Sequence, residues 1–247
     1  MWNAVLWGGI AGSATLLGAL TIMLFSIRSS IIGYIMALGT GALIGATAYE
    51  LLGDAVELSG FKEAAFGFLG GALVFTIFDY MVSNKGGQKR KSSDGSAESM
   101  SSSASNSGLA ILIGTIMDAI PESAMIGLSL AGGGTVSFAL VVAIFISNFP
   151  EGLSSTVGLK KSGFSRNKIM MMWVVVLLIS ALSALGGAAL LESASNSVKA
   201  VMSAFAGGGI IAMVASTMMP EAYNEGGPSV GFITAAGVFI ALVLHHL

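Results

Sequence analysis

Asp118-Ala119-Ile120-Pro121-Glu122 and Ser147-Asn148-Phe149-Pro150-Glu151 are two Pro-Glu elements, each about midway along an apolar stretch long enough to cross a bilayer. A carboxylate in hydrocarbon is costly, and a proline inside a helix frees the carbonyl four residues before it. Met117 and Ile146 would therefore offer spare oxygens beside Asp118, Glu122, Asn148 and Glu151. A cation is the simplest partner that stabilises such a group.

The surrounding chain has the composition of a membrane protein. Of 247 residues, 54% are hydrophobic and 10% charged, with a mean hydropathy of +0.86. A soluble domain carries roughly 25% charged residues. The expected fold class is an all-α integral membrane protein with eight transmembrane helices, at about 4–26, 32–53, 63–83, 108–131, 135–158, 169–191, 198–221 and 228–246. The N-terminus has a span-length apolar run and no basic n-region, so it reads as a first span rather than a cleavable signal. There is no cysteine, which excludes disulfides and thiolate metal sites. No basic patch interleaved with aromatics occurs, so no nucleic acid is expected as a partner; the lipid bilayer is.

Lys and Arg divide unevenly between the loops. Arg28, Lys85, Lys89, Arg90, Lys91, Lys160, Lys161, Arg166 and Lys168 fall on one side, against Lys62 and Lys199 on the other. By the positive-inside rule both termini are extracytoplasmic, and the expected location is the plasma (inner) membrane. The chain reads as one transporter-like domain, 1–247, interrupted by a Ser-rich segment at about 84–107 that reads as a flexible cytoplasmic linker. Gly41-Ala42-Leu43 through Glu50 and Gly53-Asp54-Ala55 can be laid over Gly208-Gly209-Ile210 through Pro220-Glu221-Ala222. Spans 1–3 and 6–8 would then form an inverted repeat around spans 4–5.

Seven acids lie in or near the spans: Glu50, Asp54, Asp79, Asp118, Glu122, Glu151 and Glu221. For Asp79 a protonated acid bonded to a neighbouring helix is a sufficient account, while for Glu50 that account and a functional one stand side by side. Asp118 and Glu122 differ, because four-residue spacing puts them on one helix face. Ser147 and Glu151 have the same spacing on the next helix. The short Ala131-Gly132-Gly133-Gly134 turn would pack the two helices antiparallel, so the faces meet. Mutual repulsion among the acids then calls for a divalent cation or protons.

At these residues the chain resembles the ZIP (Zrt/Irt-like protein) family of divalent-metal transporters, whose fourth span reads H-N-x-P-E-G and whose fifth reads H/Q-N/D/E-x-P-E-G. Gly163-Phe164-Ser165-Arg166 is similar to the family's G-x-S-R turn, and Ala206-Gly207-Gly208 through Pro220-Glu221-Ala222 to its seventh-span A-G-G…P-E-A. The resemblance covers essentially the whole chain. It implies transport of a divalent ion such as Zn, Fe or Mn by alternating access, a four-helix unit sliding against the rest. Its metal ligands would be Asp118, Glu122, Asn148 and Glu151, with Ser147 as a weaker fifth.

Departures from the family pattern change the donor chemistry. Asp118 stands where the family has His, Ala119 where it has Asn, and Ser147 where it has His or Gln. Ala184 replaces a sixth-span acid, which argues against a second, bridged metal. An oxygen-only site accepts Mn²⁺, Fe²⁺, Mg²⁺ or Ca²⁺ as well as Zn²⁺. His245 and His246, the only histidines, are read as part of the terminus rather than of the site. Two alternatives stay open: a proton- or sodium-coupled carrier of another solute, and a non-transporting metal-binding membrane protein. No organic cofactor is expected. An enzyme is disfavoured, since H-E-x-x-H, a Ser-His pair within the spans and a G-x-G-D element are all missing. Small-residue faces at Gly8-Gly9, Gly67-Gly70-Gly71 and Gly186-Gly187 permit close packing within one chain or in a homodimer.

Overall fold

The computed structural model describes residues 1–83, 104–130 and 134–246. The described residues are helical with no strand: α1 (Trp2–Leu24), α2 (Ser29–Ala46, continuing to Ser59), α3 (Phe61–Ser83), α4 (Ala104–Ser129), α5 (Phe138–Lys161), α6 (Arg166–Leu191), α7 (Asn196–Met213, continuing to Gly226) and α8 (Val230–His245). Residues 84–103 of the expected linker, with Lys85, Lys89, Arg90 and Lys91, lie outside the described residues, as do Ala131, Gly132 and Gly133. Residues 104–107, also assigned to the linker, form the first turn of α4.

Among the described residues, seven continuous helical stretches are long and apolar enough to cross a membrane, where eight spans were expected from the sequence. The difference arises at the end of the chain, where helical bonding runs unbroken from Asn196 to His245 through a 3₁₀ turn at Gly227–Ser229. Fifty residues of straight helix would span about 75 Å, far more than one crossing needs. This stretch instead doubles back at Gly227, whose φ of +67° is a left-handed conformation suited to glycine. Gly207 lies against Thr47 and Leu51, and Gly226 against Tyr34, so α7 runs antiparallel to α2. Gly41 then meets Thr234 and Gly45 meets Ala241, so α8 runs parallel to it.

Local signals set the other helix ends. Ser137, Ser165 and Ser195 cap α5, α6 and α7, each hydroxyl accepting from the backbone N–H three residues on. After α5, Phe164 N–H bonds to the Leu159 carbonyl and Gly163 N–H to that of Lys160, with Gly163 at φ +79°. That is a Schellman stop, and it places the G-x-S-R stretch at the α5–α6 turn.

The helices pack as two groups. In one, α1 and α4 pack on α6 and α1 also packs on α5; in the other, α3 packs on α7 and α2 packs on both α7 and α8. The α2–α5 contact joins them, and α5 is the most buried of the apolar stretches. Glycines make this closeness possible, and they do so within the chain. A Cβ on Gly71 would stand 1.9 Å from the Phe205 carbonyl oxygen, and one on Gly187 2.1 Å from that of Ala124. Gly9 and Gly186, on the outer sides of the same pairs, meet nothing within 4 Å.

Both α2 and α7 contain a π-helical segment, Thr47–Gly53 and Val214–Met218. Such wide turns release backbone carbonyls from the ladder. Here the Leu51 carbonyl accepts from the Ser203 hydroxyl of α7 at 3.0 Å.

Candidate functional site

Pro121 and Pro150 lie inside α4 and α5, so both helices continue through them. The freed Ile146 carbonyl is turned toward α2, where it would stand 2.7 Å from a Cβ on Gly39. The oxygen expected beside the carboxylates therefore faces a glycine contact.

All five residues expected at the site are buried: Asp118, Glu122, Ser147, Asn148 and Glu151 are each 5% exposed or less. The structure brings them together in pairs across the α4–α5 seam. Asn148 Nδ2 on α5 donates to Glu122 Oε2 on α4 at 3.1 Å. Thr115 Oγ1 on α4 donates to Glu151 Oε1 on α5 at 2.9 Å. Each helix thus supplies one glutamate and the neutral donor for the other's.

Ser147 is committed differently. Its hydroxyl donates to the Ile144 carbonyl of its own helix at 2.9 Å. Asp118 lies on the α4 face between Thr115 and Glu122. Among the described residues, no three His, Cys, Asp or Glu side chains stand close enough together to hold a metal ion. The three carboxylates are therefore not drawn to one point.

Two further carboxylates bond to α5 from the other helix group. Ser137, the α5 cap, donates to Glu50 Oε2 at 2.5 Å, and Ser154 donates to Glu221. Glu50 also pairs with His245 Nδ1 at 2.6 Å, and the His245 ring stacks on Tyr49 with centroids 5.7 Å apart. His245, read from the sequence as part of the terminus, is tied to the π segment of α2. Beside it lies a cavity of about 230 Å³ whose lining includes Glu50, Asp54, Ser129, Ser137, Asn196 and Lys199. Asp79 sits partly exposed on α3, whose main contacts are with α7 rather than α4 or α5.

Thr115, Ser137 and Ser154 were not singled out from the sequence. Thr115 had one available signal: it lies three residues before Asp118 and seven before Glu122, on the same helix face. Ala184, in place of the family's sixth-span acid, is packed where α6 meets α1, its Cβ 2.4 Å from where a Cβ on Gly8 would stand.

The family profile described as ZIP Zinc transporter matches residues 83–245, which include both Pro-Glu elements and the α7 segment around Glu221. The chain belongs to the ZIP family. It is an integral membrane protein by that membership and by its apolar helices. A relative, the "Putative zinc transporter At3g08650" of Arabidopsis thaliana, is 26% identical over 220 residues, covering 88% of this chain and 34% of the relative. The chain spans about a third of the length of that relative.

Proposed function

We propose that this ZIP protein is a divalent metal transporter, moving an ion such as Zn²⁺, Fe²⁺ or Mn²⁺ across the membrane by alternating access. The ion is held between α4 and α5 by Asp118, Glu122, Asn148 and Glu151. The carrying observation is the buried, cross-braced pair of glutamates on those helices. Such groups in a membrane mark an ion pathway by default. The donor set is all oxygen and amide, which suits divalent ions from Mg²⁺ to Zn²⁺. Ser147 is the weakest member, its proton already given to Ile144. One metal is the favoured stoichiometry, because Ala184 offers no ligand and sits in a helix contact.

The crossing count we propose is eight, with α7 and α8 as separate passes, both termini extracytoplasmic and the protein in the plasma or inner membrane. The chain forms a single domain. The inverted repeat is supported by paired features: α2 and α7 both carry a π segment, and exchanging α2 with α7 and α3 with α8 turns the α3–α7 contact into the α2–α8 contact.

The test is uptake by purified protein in liposomes across a panel of divalent ions, with Glu122→Ala and Glu151→Ala. Flux of an ion that disappears in both variants is the expected result. Metal binding without flux would instead mark a static binder, and flux that persists without divalent metal would mark a carrier of another solute.

A further inference from the structure

Glu50 is tied at both of its oxygens, and to two different helices. Its Oε1 lies 2.6 Å from His245 Nδ1 on α8, and its Oε2 accepts from Ser137 Oγ at 2.5 Å at the start of α5. The Glu50 side chain is 13% exposed, so these bonds are largely withdrawn from water. The His245 ring stacks on Tyr49, which steadies the nitrogen that meets Glu50. Ser137 in turn caps α5 through Leu140 N–H, and its own N–H donates to Ser129 Oγ at the end of α4 at 3.4 Å. One carboxylate of α2 therefore joins α8 to the junction of α4 and α5.

The place of this tie matters as much as its bonds. Glu50 lies in the π segment of α2, and such segments recur at functional sites. The cavity beside it, about 230 Å³, is lined by Glu50, by Met125 and Ser129 of α4, and by Ser137 and Leu140 of α5. Met125 follows Glu122 by three residues, so the cavity stands within one helical turn of that carboxylate. α2 and α5 belong to different helix groups, and any movement of one group past the other at this end must break the bond from Glu50 to Ser137.

We infer that His245 is a positioning residue for access to the α4–α5 seam: it holds Glu50 in place as a latch between α2 and α5 that keeps the cavity over the seam closed. The inference rests on the proposed transport by alternating access, and it assigns the contact that must open at the Ser137 end of α5.

The experiment is thiol labelling of the purified full chain in detergent. The chain has no cysteine, so a single introduced thiol reports alone. Met125→Cys places it in the cavity wall, and Ile111→Cys places it in a buried contact toward the other end of α4. A bulky charged thiol reagent should modify Met125→Cys slowly while the latch holds. His245→Phe keeps a stacking ring and removes the nitrogen; it should raise that rate by about 3- to 10-fold, as expected for one partly exposed bond to a carboxylate. Glu50→Ala removes both ties and should raise it by about 10-fold or more. His245→Asn, which keeps a nitrogen donor near the Nδ1 position, should bring the rate back toward the parent value. Ile111→Cys should label at the same rate in every background. Leu128→Cys, in the same cavity wall, supplies the readout if Met125→Cys does not fold. An unchanged cavity rate in His245→Phe overturns the inference. So does an equal rise at Ile111→Cys, which would mark the pair as a general structural staple. Labelling needs no metal, so its failure is distinct from absence of uptake by the wild type, which would remove the transport reading and this inference with it.

Discussion

Gly39→Ala places one methyl group between α2 and the α5 segment that carries the site. A Cβ there would stand 2.6 Å from Ser147 Cα, 2.7 Å from the Ile146 carbonyl oxygen and 2.8 Å from Ser147 N. All three are backbone atoms, so no side chain can swing aside. Ordinary contact begins at 3.4 Å, so α5 must retreat from α2 by roughly 0.8 Å. Overpacking of this kind costs about 1–3 kcal/mol. The functional cost should be larger than the stability cost, because the atoms that move carry Ser147 and Asn148. Displacement of reacting or binding groups by about 1 Å can cost on the order of 100-fold. The expected result is a modest fall in the detergent unfolding temperature with metal uptake in liposomes down about 100-fold. Gly9→Ala is the control, since a Cβ there meets nothing within 4 Å and should leave both readouts unchanged. Wild-type uptake by a folded Gly39→Ala protein would refute the claim that the α2–α5 glycine contact positions the site.

Two further changes test the ties around α5. Ser137→Ala removes both the α5 cap and the donor to Glu50; a cap is worth about 1 kcal/mol and a bond to a charged group about 1.5–3. A loss of about 2.5–4 kcal/mol is expected by equilibrium unfolding, and a loss under about 0.5 would show that solvent replaces both bonds. Trp173→Phe removes the indole N–H that donates to Thr156 Oγ1 at 2.9 Å, between two buried residues. It should cost about 1–3 kcal/mol by the same assay, while metal binding remains at the wild-type level.

How much of this was legible in the sequence follows from what each signal encodes. Apolar runs of bilayer length located the helices, because hydrocarbon tolerates little else. The expected spans 198–221 and 228–246 leave between them a break that contains Gly227, where the chain turns, although the backbone bonding is continuous there. The burial of Glu122 and Glu151 could be anticipated from their four-residue spacings to Asp118 and Ser147. Their partners could not. A helical serine or threonine can bond to its own backbone or reach a neighbour, and the sequence looks the same in both cases. Ser147 took the first course, and Thr115 and Ser154 the second. His245 was passed over because nothing along the chain links it to Glu50, 195 residues earlier. Only the parallel packing of α8 on α2 brings them together.

That packing bears on how alternating access could work at an affordable cost. The polar ties from the α2, α3, α7, α8 group to α5 include Glu50 to Ser137 near the start of the helix and Glu221 to Ser154 in its second half. Between them the contact with α2 is glycine against backbone at Gly39, flanked by apolar side chains such as Met36 and Leu43 of α2 and Leu140 and Ile144 of α5. Movement of α5 with its own group would break two hydroxyl–carboxylate bonds, each worth about 1.5–3 kcal/mol. A gap of about 3–6 kcal/mol is of the size that a ligand binding one state roughly 10⁴-fold more tightly can overcome. Buried ion pairs in place of these two bonds would cost about 3–5 kcal/mol each to break and would strand a charge.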